Sequence, residues 1–228
     1  MIEKIKQIAS DTLEDYLLRL SEIQDLSIAF SSSLSWEDQV ITHAIFSQNL
    51  PIRVFTLDTG RLFPETYSVL EATRQQYQKP VEVYFPEHAA VEKLVTEKGP
   101  ISFYESVENR KECCFIRKVE PLNRALENVD VWVTGLRAEH SENRHGLALV
   151  EADAGRGIIK VNPLISWSLE EVKAYIKKHQ IPSNVLQDRG FVSLGCQPCT
   201  RAIREGEPIR AGRWWWEDNS KKECGLHS

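Results

Sequence analysis

The chain has 228 residues, of which 42% are hydrophobic, 27% charged and 9% aromatic. That composition excludes disordered, collagen-like and low-complexity proteins. Lysine and arginine number 28 against 33 aspartates and glutamates, a net charge of −5, so no basic excess marks a nucleic-acid coat. No apolar run nears the ~18 residues a membrane span needs, and the charged N-terminus MIEKIKQIASDTLEDYL lacks a signal-peptide core. These features predict a cytoplasmic protein with no membrane or nucleic-acid partner, and they admit a homo-oligomer.

In chain order, Ile5, Ile8, Tyr16, Leu17 and Leu20 recur near helical spacing and predict an amphipathic helix over 4–20. Four short apolar or β-branched runs follow: SIAF (27–30), IRVFTLD (52–58), VEVYF (81–85) and VWVTGL (131–136). They read as buried strands. Between them lie helical stretches at 36–48, 64–77, 88–97 and 115–127, with Pro64 suited to a first helical turn. Strands alternating with helices predict an α/β domain with a mostly parallel sheet. Further on, GRGIIKVNPL predicts a turn into a strand, and SWSLEEVKAYIKKHQ a helix with Ser168 and Glu171 as a capping box. From Gly190 onward steady periodicity is lost, which suggests a site-forming tail rather than core.

AFSSSLSWED directly follows the first strand. Parallel sheets bind ligands at the carboxyl ends of their strands, and a following helix N-terminus offers free N–H groups to an anion. Small Ser31, Ser32 and Ser33 would admit a phosphate close to the backbone; a plain strand-to-helix turn with Ser35 as N-cap would read the same way. No G-K-[ST] ending is present, so this is not a Walker A loop. LDTGRLFPETY (57–67) follows the second strand and could form another wall of a nucleotide pocket.

Five cysteines divide into a cluster and an isolate: Cys113–Cys114, the C-x-x-C pair Cys196 and Cys199, and Cys224 near the end. In a reducing compartment such a set favours metal or catalytic roles over disulfides. Four thiolates from distant segments suit an iron–sulfur cluster or zinc, with buried free thiols as the plain alternative. Adjacent cysteines fit zinc knuckles poorly and a cubane better. Lys118 stands one helical turn after Cys114, Arg137 follows the fourth strand, and Arg210 and Arg213 flank Ala-Gly. Together these cations suggest an anionic substrate. Cys224 has Lys221, Lys222 and His227 nearby, and neighbouring cations raise a thiol's thiolate fraction.

With SSSLSWEDQV, LDTGRLFPETY, RKECCFIRKVEPL, VTGLRAEHSENR, VNPLISWSLEEV, GCQPCTRAI, IRAGRWWWE and ECGLH, the chain resembles the assimilatory sulfonucleotide reductases. The resemblance is to their iron–sulfur branch, which reduces adenosine 5′-phosphosulfate, and it covers everything after the first helix. It implies an adenine-nucleotide α-hydrolase-like (PP-loop-type) fold with a modified pyrophosphate loop at Ser31, Ser32 and Ser33. It further implies an adenosine-binding loop with Leu57, Thr59 and Gly60, and substrate-binding cations at Lys118, Arg137, Arg210 and Arg213. A 4Fe–4S cluster would sit on Cys113, Cys114, Cys196 and Cys199, with Cys224 the nucleophile and His227 beside it. The glycine common early in the family's phosphate loop is absent, Ser33-Leu34-Ser35 occupying that region.

The expected division is a helix over 1–22, the reductase domain over 23–213 and a flexible catalytic tail over 214–228. With four cysteines committed to the cluster no resolving thiol remains, so an external dithiol is required, and the resemblance points to thioredoxin. Rival readings are the same reaction on the 3′-phosphorylated substrate and a non-catalytic iron–sulfur redox sensor. A thiolating ligase on this fold would want an S-G-G-x-D-S-like loop, which SSSLSWED does not supply.

Overall fold

The computed structural model describes residues 1–140 and 147–217. Its centre is a six-stranded sheet in the order β3-β2-β1-β4-β6-β5, with β1 at Ile28–Ser31, β2 at Arg53–Leu57, β3 at Glu82–Tyr84, β4 at Val131–Val133, β5 at Val150–Asp153 and β6 at Ile158–Val161. All neighbours pair in parallel except β5, which runs antiparallel to β6. The expected parallel α/β sheet is therefore present. Its strand order reverses between β1 and β4, where open α/β sheets leave a crevice.

Period-2 alternation divides the core between the two sheet faces. Ile28, Phe30, Val54, Val131, Val133 and Val161 pack against α2 (Leu13–Ser21), α3 (Trp36–Ser47) and α8 (Leu169–His179). Ala29, Phe55 and Trp132 face the other way, onto Leu122 and Ala125 of α7 (Glu120–Ala125). Helix α4, Pro64–Tyr77, matches its expected bounds and opens on Pro64, α5 spans His88–Lys98, and α8 carries the Ser168–Glu171 capping box. No helix among the described residues is long and apolar enough to cross a membrane.

Three local expectations are corrected. The opening helix is two helices, α1 (Ile2–Lys6) and α2. Ser10 Oγ accepts from the Thr12 N–H at 3.2 Å and donates to the Thr12 carbonyl at 2.7 Å, and Thr12 then caps α2; such local side-chain bonding competes with helix continuation. The helix expected from Phe115 begins earlier, as α6 (Val107–Cys114) capped by Ser106, and widens into a π turn at Phe115–Val119 before α7. Pro121 has no N–H to give the Arg117 carbonyl, so the ladder is interrupted where the helix widens. The third correction is at residue 214, the expected start of a flexible tail. Trp214 is 1% exposed, and Glu217 is buried in an ion pair with Arg110.

Candidate functional site

A cleft of about 220 Å³ opens at the carboxyl ends of β1, β2 and β4, at the point where strand order reverses. The structure places Ser31, Ser32, Ser33, Leu57, Thr59, Lys118, Arg210 and Arg213 around it. The three serines are held by the sheet and by each other's surroundings. Ser31 Oγ accepts from Trp132 Nε1 at 2.9 Å, the Ser32 N–H donates to the Phe55 carbonyl at 2.7 Å, and Ser33 donates from both N–H and Oγ to Asp38, at 2.6 and 2.5 Å. Leu34 follows with φ +61° and a buried side chain. The loop thus enters left-handed backbone without a glycine, a rare conformation for a branched residue.

Asp38 is buried against Gly135, where a Cβ would stand 2.0 Å from the carboxylate. Burial pushes its pKa up to about 6 against the pull of the Ser33 bonds, and adjacent Glu37 adds to the rise. Neither acid was singled out from sequence, although both line the cleft; a Glu-Asp pair in a first helical turn looks like ordinary dipole stabilisation.

Gly60 and Arg137 do not line the cleft. Gly60, at φ +70°, completes a turn in which its N–H donates to Asp58 Oδ1 at 2.8 Å. Arg137 is fully buried, donating from Nε to Glu37 at 2.9 Å and from Nη1 to Glu139 at 2.7 Å and the Trp167 carbonyl at 3.1 Å. It holds a cleft residue in place from behind.

Beyond the cleft wall lies a second, narrower cavity lined by Cys113, Cys114, Cys196 and Cys199 together with Arg61, Arg110, Arg117 and Lys118. The four thiols are buried with Leu94, Phe103 and Trp214. Two come from the last turn of α6, and two from the short turn Gln197–Cys199 and the residue that caps it, Cys196. Burial raises the Cys113 thiol pKa despite Arg117 and Arg61, and lifts that of Cys199 to about 12, with Cys196 adding to it. At Cys196 burial also opposes the charge, but Lys118, a hydrogen bond with Thr59, Arg213 and Arg117 together outweigh it, and the pKa falls.

Arg110 and Arg117 were invisible as site residues because nothing local separates them from surface arginines; only the tertiary fold buries them. Lys118 lines both cavities. Cys224 and His227 lie outside the described residues.

Residues 27–202 match the phosphoadenosine phosphosulfate reductase domain model. The adenosine 5′-phosphosulfate reductase of Burkholderia cepacia is 51% identical over 217 residues, covering 95% of this chain and 86% of that protein. The enzyme of the same name from Sinorhizobium fredii (strain NBRC 101917 / NGR234) is 48% identical over 230 residues, covering 99% and 92%. Among solved structures, phosphoadenylyl-sulfate reductase from Candida auris in a phosphate complex superposes with TM-score 0.73 at 27% identity, over 89% of this chain and 96% of that one. Yeast FAD synthetase in complex with FAD shares the fold alone, with TM-score 0.53 at 15% identity over 88% and 72%. With its switch-point cleft, its matched domain and relatives near half identity along almost their whole length, the chain belongs to the phosphoadenosine phosphosulfate reductase family.

Proposed function

We propose that this protein reduces adenosine 5′-phosphosulfate to sulfite and AMP in the cytoplasm, as part of sulfate assimilation, with thioredoxin as the electron donor. The observation that carries the reading is the common wall. Lys118 faces both a nucleotide-sized cleft and a four-thiol cavity, in a chain about 50% identical to enzymes named for this substrate.

The Cys224 thiolate attacks the sulfur of the phosphosulfate. A Cys–S–S bond forms, the S–O bond to phosphate breaks, and AMP leaves with the electron pair. Lys118, Arg210 and Arg213 neutralise the charge growing on that phosphate. Lys221, Lys222 and His227 favour the thiolate at Cys224. A thioredoxin thiolate then attacks Cys224 Sγ of the S-sulfocysteine. Sulfite departs with the S–S electron pair, and the second thioredoxin thiol displaces Cys224 as the dithiol becomes a disulfide. Two electrons from the dithiol balance the reaction.

Cys113, Cys114, Cys196 and Cys199 would hold a 4Fe–4S cluster. The donor set fits: four buried thiols share one cavity with four cationic side chains, which suits a group of net negative charge. Adjacent Cys113 and Cys114 fit zinc knuckles poorly and a cubane better, which favours the cluster over a single zinc. When bound, the cluster supplies local electrostatics at Lys118, since the dithiol already closes the electron balance.

The test is sulfite release by anaerobically purified protein with thioredoxin and its reductase, supplied in parallel with adenosine 5′-phosphosulfate and its 3′-phosphorylated form. Preference for the unphosphorylated substrate is expected. Preference for the other reassigns the substrate, and activity on neither from protein with an intact chromophore turns the reading toward an iron–sulfur sensor.

A further inference from the structure

Arg213, one of the cations of the cleft, is held by several groups at once. Its Nη1 donates to the Leu194 carbonyl at 2.7 Å, and its buried Nε has no hydrogen-bond partner among the described residues. Gly195 packs directly on the guanidinium: a Cβ there would stand 2.5 Å from Cζ, Nη1 and Nη2. The Trp214 ring also lies against it, with Cζ 4.7 Å from the ring centroid.

Trp214 is held in an unusual way. Its φ is +40°, a conformation that costs an aromatic residue energy and persists only where the surroundings impose it. Its N–H donates to the Cys199 carbonyl at 3.1 Å, and its carbonyl accepts from the Glu217 N–H at 2.8 Å. A second guanidinium, that of Arg110, lies over the same ring at 4.6 Å. Arg110 is fully buried and paired bidentately with Glu217 at 2.9 and 2.8 Å. Two cations over one indole would repel, but the ring's electron-rich face attracts both, and Glu217 neutralises Arg110. The positive charge left over is that of Arg213, on the cleft side.

We propose that Trp214, Arg110, Glu217 and Gly195 are positioning residues that aim the Arg213 guanidinium at an anionic group of the nucleotide. This rests on the reductase reading above. Because Arg110 lines the thiol cavity and Arg213 the cleft, the mount ties substrate affinity to the integrity of the thiol side.

The test uses anaerobically purified full-length holoprotein carrying Glu217→Gln, Trp214→Leu or Gly195→Ala, each alone and combined with Arg213→Ala. Each single change is expected to raise KM for adenosine 5′-phosphosulfate about ten-fold and weaken AMP binding in parallel. Turnover should fall less than about three-fold, and visible absorbance per protein should be kept. In the Arg213→Ala background each should add less than about two-fold, because residues acting through Arg213 are not additive with its loss. Additive KM effects, or loss of kcat at unchanged KM, overturn the proposal. Glu217→Gln is isosteric and keeps the test open if Trp214→Leu fails to fold. No sulfite from the parent protein would instead overturn the reductase reading.

Discussion

Cys196 Sγ lies 3.3 Å from Thr59 Oγ1, so the loop after β2 touches the thiol cavity through the same residue that lines the nucleotide cleft. The Thr59 carbonyl also accepts from Arg117 Nη1 at 2.6 Å. Replacing Thr59 with valine keeps the shape and removes the hydroxyl. One such bond contributes about 1 kcal/mol, so Thr59→Val holoprotein should lose its colour to an iron chelator about five-fold faster than the parent. Thr59→Ser should behave as the parent does. Equal bleaching rates for all three would show that the contact is incidental.

Removing Arg137 should be costly for stability. It pairs with Glu37, and both are almost fully buried. Arg137→Met removes the buried pairing with Glu37, a cost of about 3–5 kcal/mol for a buried pair that loses one member. Denaturant unfolding of the apoprotein measures this. A loss below about 1 kcal/mol would show that the pair with Arg137 is not what holds the Glu37 carboxylate.

Asp38 sets an unusual pH dependence. Its carboxyl pKa is raised in the folded protein from 3.8 to about 6, so between those values the folded state holds a proton that the unfolded state has released. Stability from this group is complete below 3.8 and is lost as pH rises through about 6. The loss amounts to about 3 kcal/mol at 1.4 kcal/mol per unit. Asp38→Asn cannot ionise. Its stability relative to the parent should therefore climb between pH 4 and pH 7, as read from parallel urea titrations. A constant difference across that range would place Asp38 in water.

The cysteines should separate cleanly by phenotype. Cys224→Ser should abolish sulfite release while the visible absorbance survives. Serine at Cys113, Cys114, Cys196 or Cys199 should bleach the protein. Residual turnover by Cys224→Ser would remove it as nucleophile.

Strands β1, β2 and β4 were legible because parallel strands buried on both faces are continuous apolar runs, and the exposed edge strand β3 through its β-branched and aromatic residues. Edge strand β5 was not: VEAD has no such run, and its pairing with β6 is a tertiary fact, supported by Glu151 and Lys160 at 3.0 Å. VENRKECC likewise hides α6, since its burial is of cysteines and an arginine rather than of an apolar stripe. Three consecutive tryptophans read as tail, yet Trp214 is buried while Trp215 is 49% exposed. The Ser31–Ser33 loop could be found from its place after a strand. The surroundings of Arg213 could not, because Gly195 meets its guanidinium, and Arg110 and Glu217 meet Trp214 and each other, only through the fold.

The π turn at Phe115–Val119 lies between Cys114 and α7 on one continuous helical path. A straight α-helix would fix the angular phase of every residue on it, whatever the two cavities required. The widened turn resets that phase, and Lys118 falls within it. The turn takes up one extra residue, so deleting one there would restore a regular α ladder and move Lys118 relative to the cysteines while the flanking helices keep their phase. The length from Cys114 to Pro121 therefore sets where Lys118 stands between the two cavities.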